Sequence, residues 1–242
     1  ENKVALVTGG TRGIGKAIVN ELLQSGAKVF ATGTNLTQVE KLNKKNKNSL
    51  LTYLQLDLSE PNNVRKFISK TLKVTDIDIL VNNAGINIVS DADIISDEEF
   101  LQIQEVNVHG PFLLAQAFGK QMLKNNWGRI INISSIWGVV TRPGRLSYSA
   151  SKMALLGISK TLAVEWAKNN VLVNSVSPGF TLTELTKTTN TKQELKEIEN
   201  KIPQNRLALP EEIAKGVLFL SSNLNSYIVG QNLIIDGGYT AI

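Results

Sequence analysis

Val4-Ala5-Leu6-Val7-Thr8-Gly9-Gly10-Thr11-Arg12-Gly13-Ile14-Gly15 joins a short apolar, strand-like run to an amphipathic helix through a turn rich in glycine. Glycines at such a turn let the backbone approach a pyrophosphate, and the helix N-terminus offers free N–H groups and the positive end of a dipole. The spacing is Gly9-x-x-x-Gly13-x-Gly15 rather than the more familiar Gly-x-Gly-x-x-Gly. A glycine-rich turn alone is a weak signal, but a strand before it and a helix after it make a dinucleotide site the natural expectation.

Outward from this turn the chain repeats the same alternation. Apolar runs at Val4–Val7, Lys28–Ala31, Leu51–Leu56, Ile77–Val81, Arg129–Ile133, Val171–Val176 and Asn232–Ile235 read as strands. Helical spacing fills Ile14–Gln24, Asn62–Leu72, Glu98–Met122, Tyr148–Lys168 and Pro210–Leu220. Strands alternating with helices imply right-handed crossovers and a parallel sheet covered on both faces. Several strands are apolar nearly throughout, as such a sheet requires. The expected class is α/β, a single doubly wound (Rossmann) domain over residues 1–242 with about seven parallel strands. On the Tyr148–Lys168 helix, Ala150, Ala154, Leu155, Ile158, Leu162, Ala163 and Trp166 make an apolar surface wider than one stripe, consistent with a subunit interface or a deep monomer core.

Composition excludes several functions. There are no cysteines and one histidine, so disulfides, thiolate catalysis and Cys-based metal sites are ruled out, and no metal site is expected. No apolar run approaches the ~18 residues of a membrane span. Glu1-Asn2-Lys3 runs straight into the first strand, leaving no room for a signal peptide, and the expected address is the cytoplasm. The net charge is +5, yet the one dense basic cluster (Lys41, Lys44, Lys45, Lys47) sits in an Asn-rich segment without interleaved aromatics. It reads as solvated surface, and nucleic acid is not an expected partner.

The second strand ends Ala31-Thr32-Gly33-Thr34-Asn35, without the carboxylate that NAD sites use on the ribose 2′-hydroxyl, while Arg12 sits in the glycine turn where a guanidinium can pair with a 2′-phosphate. NADP(H) is therefore preferred and NAD(H) remains possible. Asp57, closing the third strand, suits either an adenine amino group or the start of the next helix.

Tyr148-Ser149-Ala150-Ser151-Lys152 sets a phenol and an ammonium four residues apart on one helix face. A free tyrosine, pKa about 10, is a poor base at neutral pH, and a nearby lysine charge is expected to pull it toward the working range. Ser134 and Ser135 end one strand, and Asn82-Asn83-Ala84-Gly85 end the strand before it, both at the carboxyl edge where open α/β sheets bind ligands. Asn107 precedes Gly110-Pro111, where a proline should open the helical hydrogen bonding. The lone His109 falls mid-helix near this kink and reads as structural rather than as a hydrolase base.

Along its whole length the chain resembles the short-chain dehydrogenase/reductase family. The matching pieces are Thr8-Gly-x-x-x-Gly-Ile-Gly15, Asp57, Asn82-Asn-Ala-Gly85, Asn107, Ser135, Tyr148-x-x-x-Lys152, Pro178-Gly179 with Thr183, and Asp236-Gly237-Gly238. The resemblance implies hydride transfer between a nicotinamide and a carbonyl or alcohol. It selects Ser135 over Ser134, thirteen residues before Tyr148. It makes Tyr148 the proton donor or acceptor and Ser135 the holder of the substrate oxygen. Lys152 would lower the Tyr148 pKa and bind the nicotinamide ribose, and the Asn107 carbonyl would place a water that relays protons to Lys152. The implied cofactor contacts are Gly9, Thr11, Arg12, Gly13, Ile14, Gly15, Thr34, Asp57, Leu58, Asn83, Ala84, Gly85, Tyr148, Lys152, Pro178, Gly179, Thr181 and Thr183, the last on the carboxamide. A silent NADP-binding regulator would be expected to lack Tyr148 or Lys152, and both are present.

The pattern is nearest to bacterial 3-oxoacyl-[acyl-carrier-protein] reductases, including Asn205-Arg206 and Pro210-Glu211-Glu212-Ile213-Ala214. Those enzymes dock an acidic carrier protein with basic side chains. The corresponding positions here are Asn126 and Asn169, with Lys124 and Lys168 adjacent, so acyl carrier protein is a doubtful partner. Trp137, Arg142, Arg145 and Phe180 join Ser135 as candidate substrate contacts. The two arginines suit an anionic or sugar-like substrate, or equally a solvated or subunit surface. Residues 181–203, polar and rich in Thr, Lys and Glu, are expected to form a mobile lid. The expectation is an NADPH-dependent carbonyl reductase of the 3-oxoacyl-thioester type, with a sugar or polyol dehydrogenase as the alternative, assembled as a homotetramer or homodimer.

Overall fold

Seven parallel strands hydrogen-bond in the order β3-β2-β1-β4-β5-β6-β7 in the computed structural model, which describes residues 2–189 and 191–241. They are β1 (Val4–Val7), β2 (Lys28–Gly33), β3 (Leu51–Gln55), β4 (Ile79–Asn82), β5 (Gly128–Ile133), β6 (Val171–Pro178) and β7 (Asn232–Ile235). β5 and β6 are buried at every residue because helices cover both faces, whereas the edge strand β3 is only partly buried.

The helices are α1 (Gly13–Gln24), α2 (Leu36–Lys45), α3 (Pro61–Leu72), α4 (Asp97–Gln104), α5 (Gly110–Lys124), α6 (Leu146–Trp166), α7 (Glu184–Thr189), α8 (Lys192–Asn200) and α9 (Pro210–Ser221). On one face Ile18 and Leu22 of α1 meet Ile213 and Val217 of α9 over Val7, Val81 and Ile131. On the other, Val64 of α3, Leu114 and Phe118 of α5 and Ala163 of α6 close over Leu6, Leu80 and Ile130. Strand order reverses between β1 and β4, which opens a crevice at their carboxyl ends, the place where open α/β sheets bind ligands.

Three elements depart from the sequence expectation. The Lys-rich segment is a helix, α2, capped by the Asn35 side chain on the Gln38 N–H at 2.8 Å; it buries only Val39, so its apolar stripe is too thin to register in the sequence. The single helix expected over Glu98–Met122 is two, joined by a π-helical turn at Glu105–His109 in which the Gly110 N–H bonds back to the Glu105 carbonyl. The polar 181–203 segment contains α7 and α8, and Thr191 with Glu194 forms a capping box at the start of α8. Asn190 of that segment lies outside the described residues.

Candidate active site

The crevice is a cleft of about 850 Å³, lined on one side by the glycine turn and on the other by β5 and α6. Its floor is tied together by Thr8. The Thr8 hydroxyl oxygen accepts from the Asn83 N–H at 2.9 Å and the Ala84 N–H at 3.0 Å, while the Asn83 side-chain amide donates to the Thr8 carbonyl at 2.8 Å. These bonds lock the end of β1 to the end of β4. Gly9 and Gly13 have φ of +64° and +54°, a region that favours glycine. A Cβ on Gly15 would strike the Gly9 carbonyl oxygen and come within 2.5 Å of the Asn83 amide nitrogen. The turn therefore leaves bare backbone facing the cleft at the positive end of α1, which suits a pyrophosphate.

Of the residues expected at the cofactor, Gly9, Thr11, Arg12, Gly13, Ile14, Gly15, Thr34, Asp57, Leu58, Asn83, Ala84, Gly85, Tyr148, Lys152, Pro178, Gly179, Thr181 and Thr183 all line this cleft. Arg12 is exposed and lines the same cleft as Thr34, Asn35 and Gln38. The Asp57 carboxylate accepts from the Ser59 N–H and hydroxyl at 2.9 and 2.8 Å, ahead of the α3 N-cap at Glu60. The Thr183 hydroxyl accepts from the Thr186 N–H at 3.2 Å and so caps α7. Pro178 and Gly179 end β6 where the chain passes so close to Asp236 that a Gly179 Cβ would sit 2.7 Å from its Cα.

On the opposite wall the two serines diverge. Ser134 turns its hydroxyl to the Lys152 carbonyl at 3.1 Å, inside the fold. The Ser135 oxygen accepts from the Trp137 N–H at 3.2 Å, which leaves its own proton to act on the neighbouring Tyr148 phenol. Burial pushes the Tyr148 phenol above its ordinary value, and the Ser135 bond and then the Arg145 charge pull back against it. The net direction is upward, opposite to the sequence expectation, because desolvation outweighs both. Lys152 is buried, its ammonium 5.5 Å from the Tyr148 ring centroid and donating to the Ile133 carbonyl at 2.9 Å. The same desolvation lowers the Lys152 pKa to about 8.

Asn107 lies in the π-helical turn, and its side chain is fully engaged. The amide oxygen accepts from the Ile86 N–H at 2.9 Å, and the amide nitrogen donates to the Ile86 carbonyl at 2.9 Å and the Ser151 hydroxyl at 3.0 Å. Its main-chain carbonyl has lost its helical i+4 donor, because that residue is Pro111, which has no N–H. His109, in the same turn, pairs with Glu105 at 2.7 Å and stacks on Phe112.

Among the candidate substrate contacts, Ser135, Trp137, Arg142, Arg145 and Phe180 all line the cleft. Trp137 and Phe180 pack edge-to-face at 5.9 Å, and Tyr239 completes the cluster at 6.2 and 5.3 Å from them. Tyr239 is not singled out by the sequence. The only cue to it is the Asp236-Gly237-Gly238 turn, where Asp236 accepts from the Gly238 and Thr240 N–H groups and brings Tyr239 against Trp137 and Phe180. Asn126 and Asn169, at the expected carrier-docking positions, hydrogen-bond each other at 2.9 Å on the surface.

A fold with its glycine cradle at the switch point and a Tyr–Lys pair opposite belongs to the nicotinamide-dependent oxidoreductases, and comparison with known proteins narrows the class. A family model described as Enoyl-(Acyl carrier protein) reductase matches residues 9–240. The chain is 40% identical to the 3-oxoacyl-[acyl-carrier-protein] reductase FabG of Aquifex aeolicus, covering 98% of this chain and 97% of that one. It is 38% identical to an NAD-dependent glycerol dehydrogenase of Listeria innocua, over 99% and 94%. A gluconate 5-dehydrogenase from Burkholderia cenocepacia, solved with NADP and tartrate, superposes with a TM-score of 0.93 at 29% identity, over 100% and 96%. The chain belongs to the short-chain dehydrogenase/reductase family and is an oxidoreductase that uses a nicotinamide cofactor. No helix among the described residues is long and apolar enough to cross a membrane.

Proposed function

We propose that the protein is an NADPH-dependent carbonyl reductase, with Tyr148 as the proton donor. The observation that carries this is Tyr148, Ser135 and buried Lys152 lining one cleft with a backbone cradle shaped for a dinucleotide, Ser135 acting on the phenol as a hydrogen-bonding neighbour. The bound cofactor supplies the hydride. The protein holds the substrate oxygen against the Ser135 and Tyr148 hydroxyls, where a donated proton neutralises the developing alkoxide. A phenol raised by burial keeps its proton at neutral pH, which suits reduction. Lys152 orients the site and carries positive charge when protonated, and the Asn107 carbonyl offers an acceptor that would hold a water able to hand a proton to Lys152. Arg12, with no acidic residue at the end of β2, supports NADPH over NADH.

The 3-oxoacyl reductases among the relatives support a 3-oxoacyl-thioester type of substrate. The neutral Asn126–Asn169 pair, in place of basic side chains, argues against acyl carrier protein as a docking partner. A sugar or polyol dehydrogenase is the second reading, favoured by the glycerol and gluconate dehydrogenases at similar likeness. Glu184, Thr186 and Ile198 of the 181–203 segment border the cleft, which supports its role as a substrate lid. Val164 on the outer face of α6, 83% exposed, and the half-exposed Leu233 and Ile234 of β7 support assembly with further copies of the chain.

The test is loss of reduced-nicotinamide absorbance with NADPH and separately NADH, over an acetoacetyl thioester, diketones and keto-sugars. Turnover with NADPH on at least one carbonyl class is expected. No turnover with either cofactor across the panel would overturn the reading.

A further inference from the structure

Arg142 and Arg145 lie 5.2 and 6.0 Å from the ring centroid of the same indole, Trp137, at the Tyr148 end of the cleft. Among the described residues neither has an acidic partner; the ion pairs are Lys3–Asp78, Glu105–His109, Lys196–Glu199 and Arg206–Glu212. Arg145 is partly buried, and its Nε is buried without a hydrogen-bond acceptor. Two like charges on one ring, one of them desolvated and under-bonded, make an uncompensated arrangement. The other pair of cations on one indole, Lys3 and Arg129 on Trp127, is compensated: Lys3 pairs with Asp78 at 3.1 Å, and Arg129, though its Nε is also unpaired, donates its terminal nitrogens to the carbonyls of Gly128, Asn170 and Asn225. Arg206 likewise makes a two-pronged pair with Glu212 at 2.7 Å.

The cofactor phosphates do not answer this demand. The cradle that suits them is at the N-terminus of α1, with Arg12 at its rim, across the switch point from α6. The arginines belong with the substrate. Arg145 immediately precedes α6, three residues before Tyr148, and its charge acts directly on that phenol. An anion bound there lies only a few bonds from a carbonyl held on Tyr148 and Ser135.

We propose that Arg145, assisted by Arg142 at the rim, binds an oxyanion on the substrate, a carboxylate or a phosphate a few bonds from the reacting carbonyl. This rests on the carbonyl-reductase reading but departs from its thioester form, and gives it a substrate class: keto acids or keto phosphates rather than neutral ketones or 3-oxoacyl thioesters. The guanidinium fork matches either oxyanion, and the anion takes no part in bond making. The Trp137 ring offers both guanidiniums an aromatic face, with Arg142 exposed at the rim and Arg145 partly buried.

Three matched pairs of substrates test this: acetoacetate against ethyl acetoacetate, a keto-hexonate against the neutral ketohexose, and dihydroxyacetone phosphate against dihydroxyacetone. In at least one pair the charged member is expected to have the higher kcat/KM by about tenfold or more, the scale of a desolvated charge-assisted pair. The pair that shows it tells carboxylate from phosphate. Arg145→Gln should erase that preference through KM, and Arg145→Lys should restore part of it, with melting curves confirming that both variants fold. A second arm titrates succinate, inorganic phosphate and neutral succinamide into the NADP-saturated protein and follows tryptophan fluorescence. Binding of an anion that Arg145→Gln abolishes supports the site even if no carbonyl is turned over, in which case only the reductase reading falls. Neutral members reduced as well as charged ones, or anion binding equal in parent and Arg145→Gln, or no anion binding at all, would overturn the inference and leave the reductase reading intact.

Discussion

Replacing Lys152 with methionine should stabilise the protein more at neutral pH than at alkaline pH. Burial brings the Lys152 pKa from 10.5 to about 8, so the unfolded chain holds this proton more tightly than the folded one. The charged form therefore costs folding free energy in full below about pH 8, and the cost fades as pH rises toward 10.5. At about 1.4 kcal/mol per tenfold change in proton affinity, the cost is about 3 kcal/mol near pH 7 and about 2 kcal/mol near pH 9. Methionine removes that cost but strips the Ile133 carbonyl of its 2.9 Å donor, a loss of about 1–3 kcal/mol. The two effects nearly cancel in level, so the absolute Tm of the variant is a poor readout. The slope is not affected, because the lost hydrogen bond does not titrate in this range. Parent and variant melted side by side from about pH 7 to about pH 9 should converge or cross, the parent gaining about 1 kcal/mol, or about 2–4 °C for a chain this size. A Tm difference that stays flat across that range refutes the lowered lysine pKa and the desolvation argument behind it.

Tyr148→Phe removes the transferable proton while keeping the ring, so kcat should fall by about 10²–10⁴ with NADPH affinity, read by fluorescence titration, nearly unchanged. Arg12→Gln should raise the KM for NADPH about tenfold more than that for NADH, and an equal loss for both removes the case for a 2′-phosphate contact. Pro111→Ala returns an N–H to the position four residues after Asn107 and should close the π-helical turn. We expect kcat to drop about tenfold with Tm unchanged or slightly higher, and an unaltered kcat argues against a role for the Asn107 carbonyl.

The strand-turn-helix at Val4–Gly15, the alternation of strands and helices, and the Tyr148–Lys152 pair are legible in the sequence because each rests on local periodicity or short spacing. All seven strands lie within two residues of their expected ends, the largest extensions being β2 to Gly33 and β6 to Pro178. The helix α2 is not legible, because a surface helix that buries only Val39 leaves almost no apolar period. The choice between Ser134 and Ser135 follows in sequence only from family likeness. In the structure it has a physical basis, since successive residues leaving a strand point to opposite sides, one hydroxyl to the Lys152 carbonyl and the other to Tyr148.

What the sequence determined by itself is the class of fold, the glycine cradle, and which side chains are chemically able to move a proton. Tertiary structure alone decided their protonation balance. The lowering of Tyr148 expected from its four-residue spacing to Lys152 does not appear: desolvation raises the phenol, and the charge that acts on it is that of Arg145. It also brought Tyr239 to Trp137 and Phe180, and set two arginines on one indole with no acidic partner among the described residues. Spacing along a helix is written in the sequence; burial and the absence of a counter-charge depend on what the rest of the chain packs around a group.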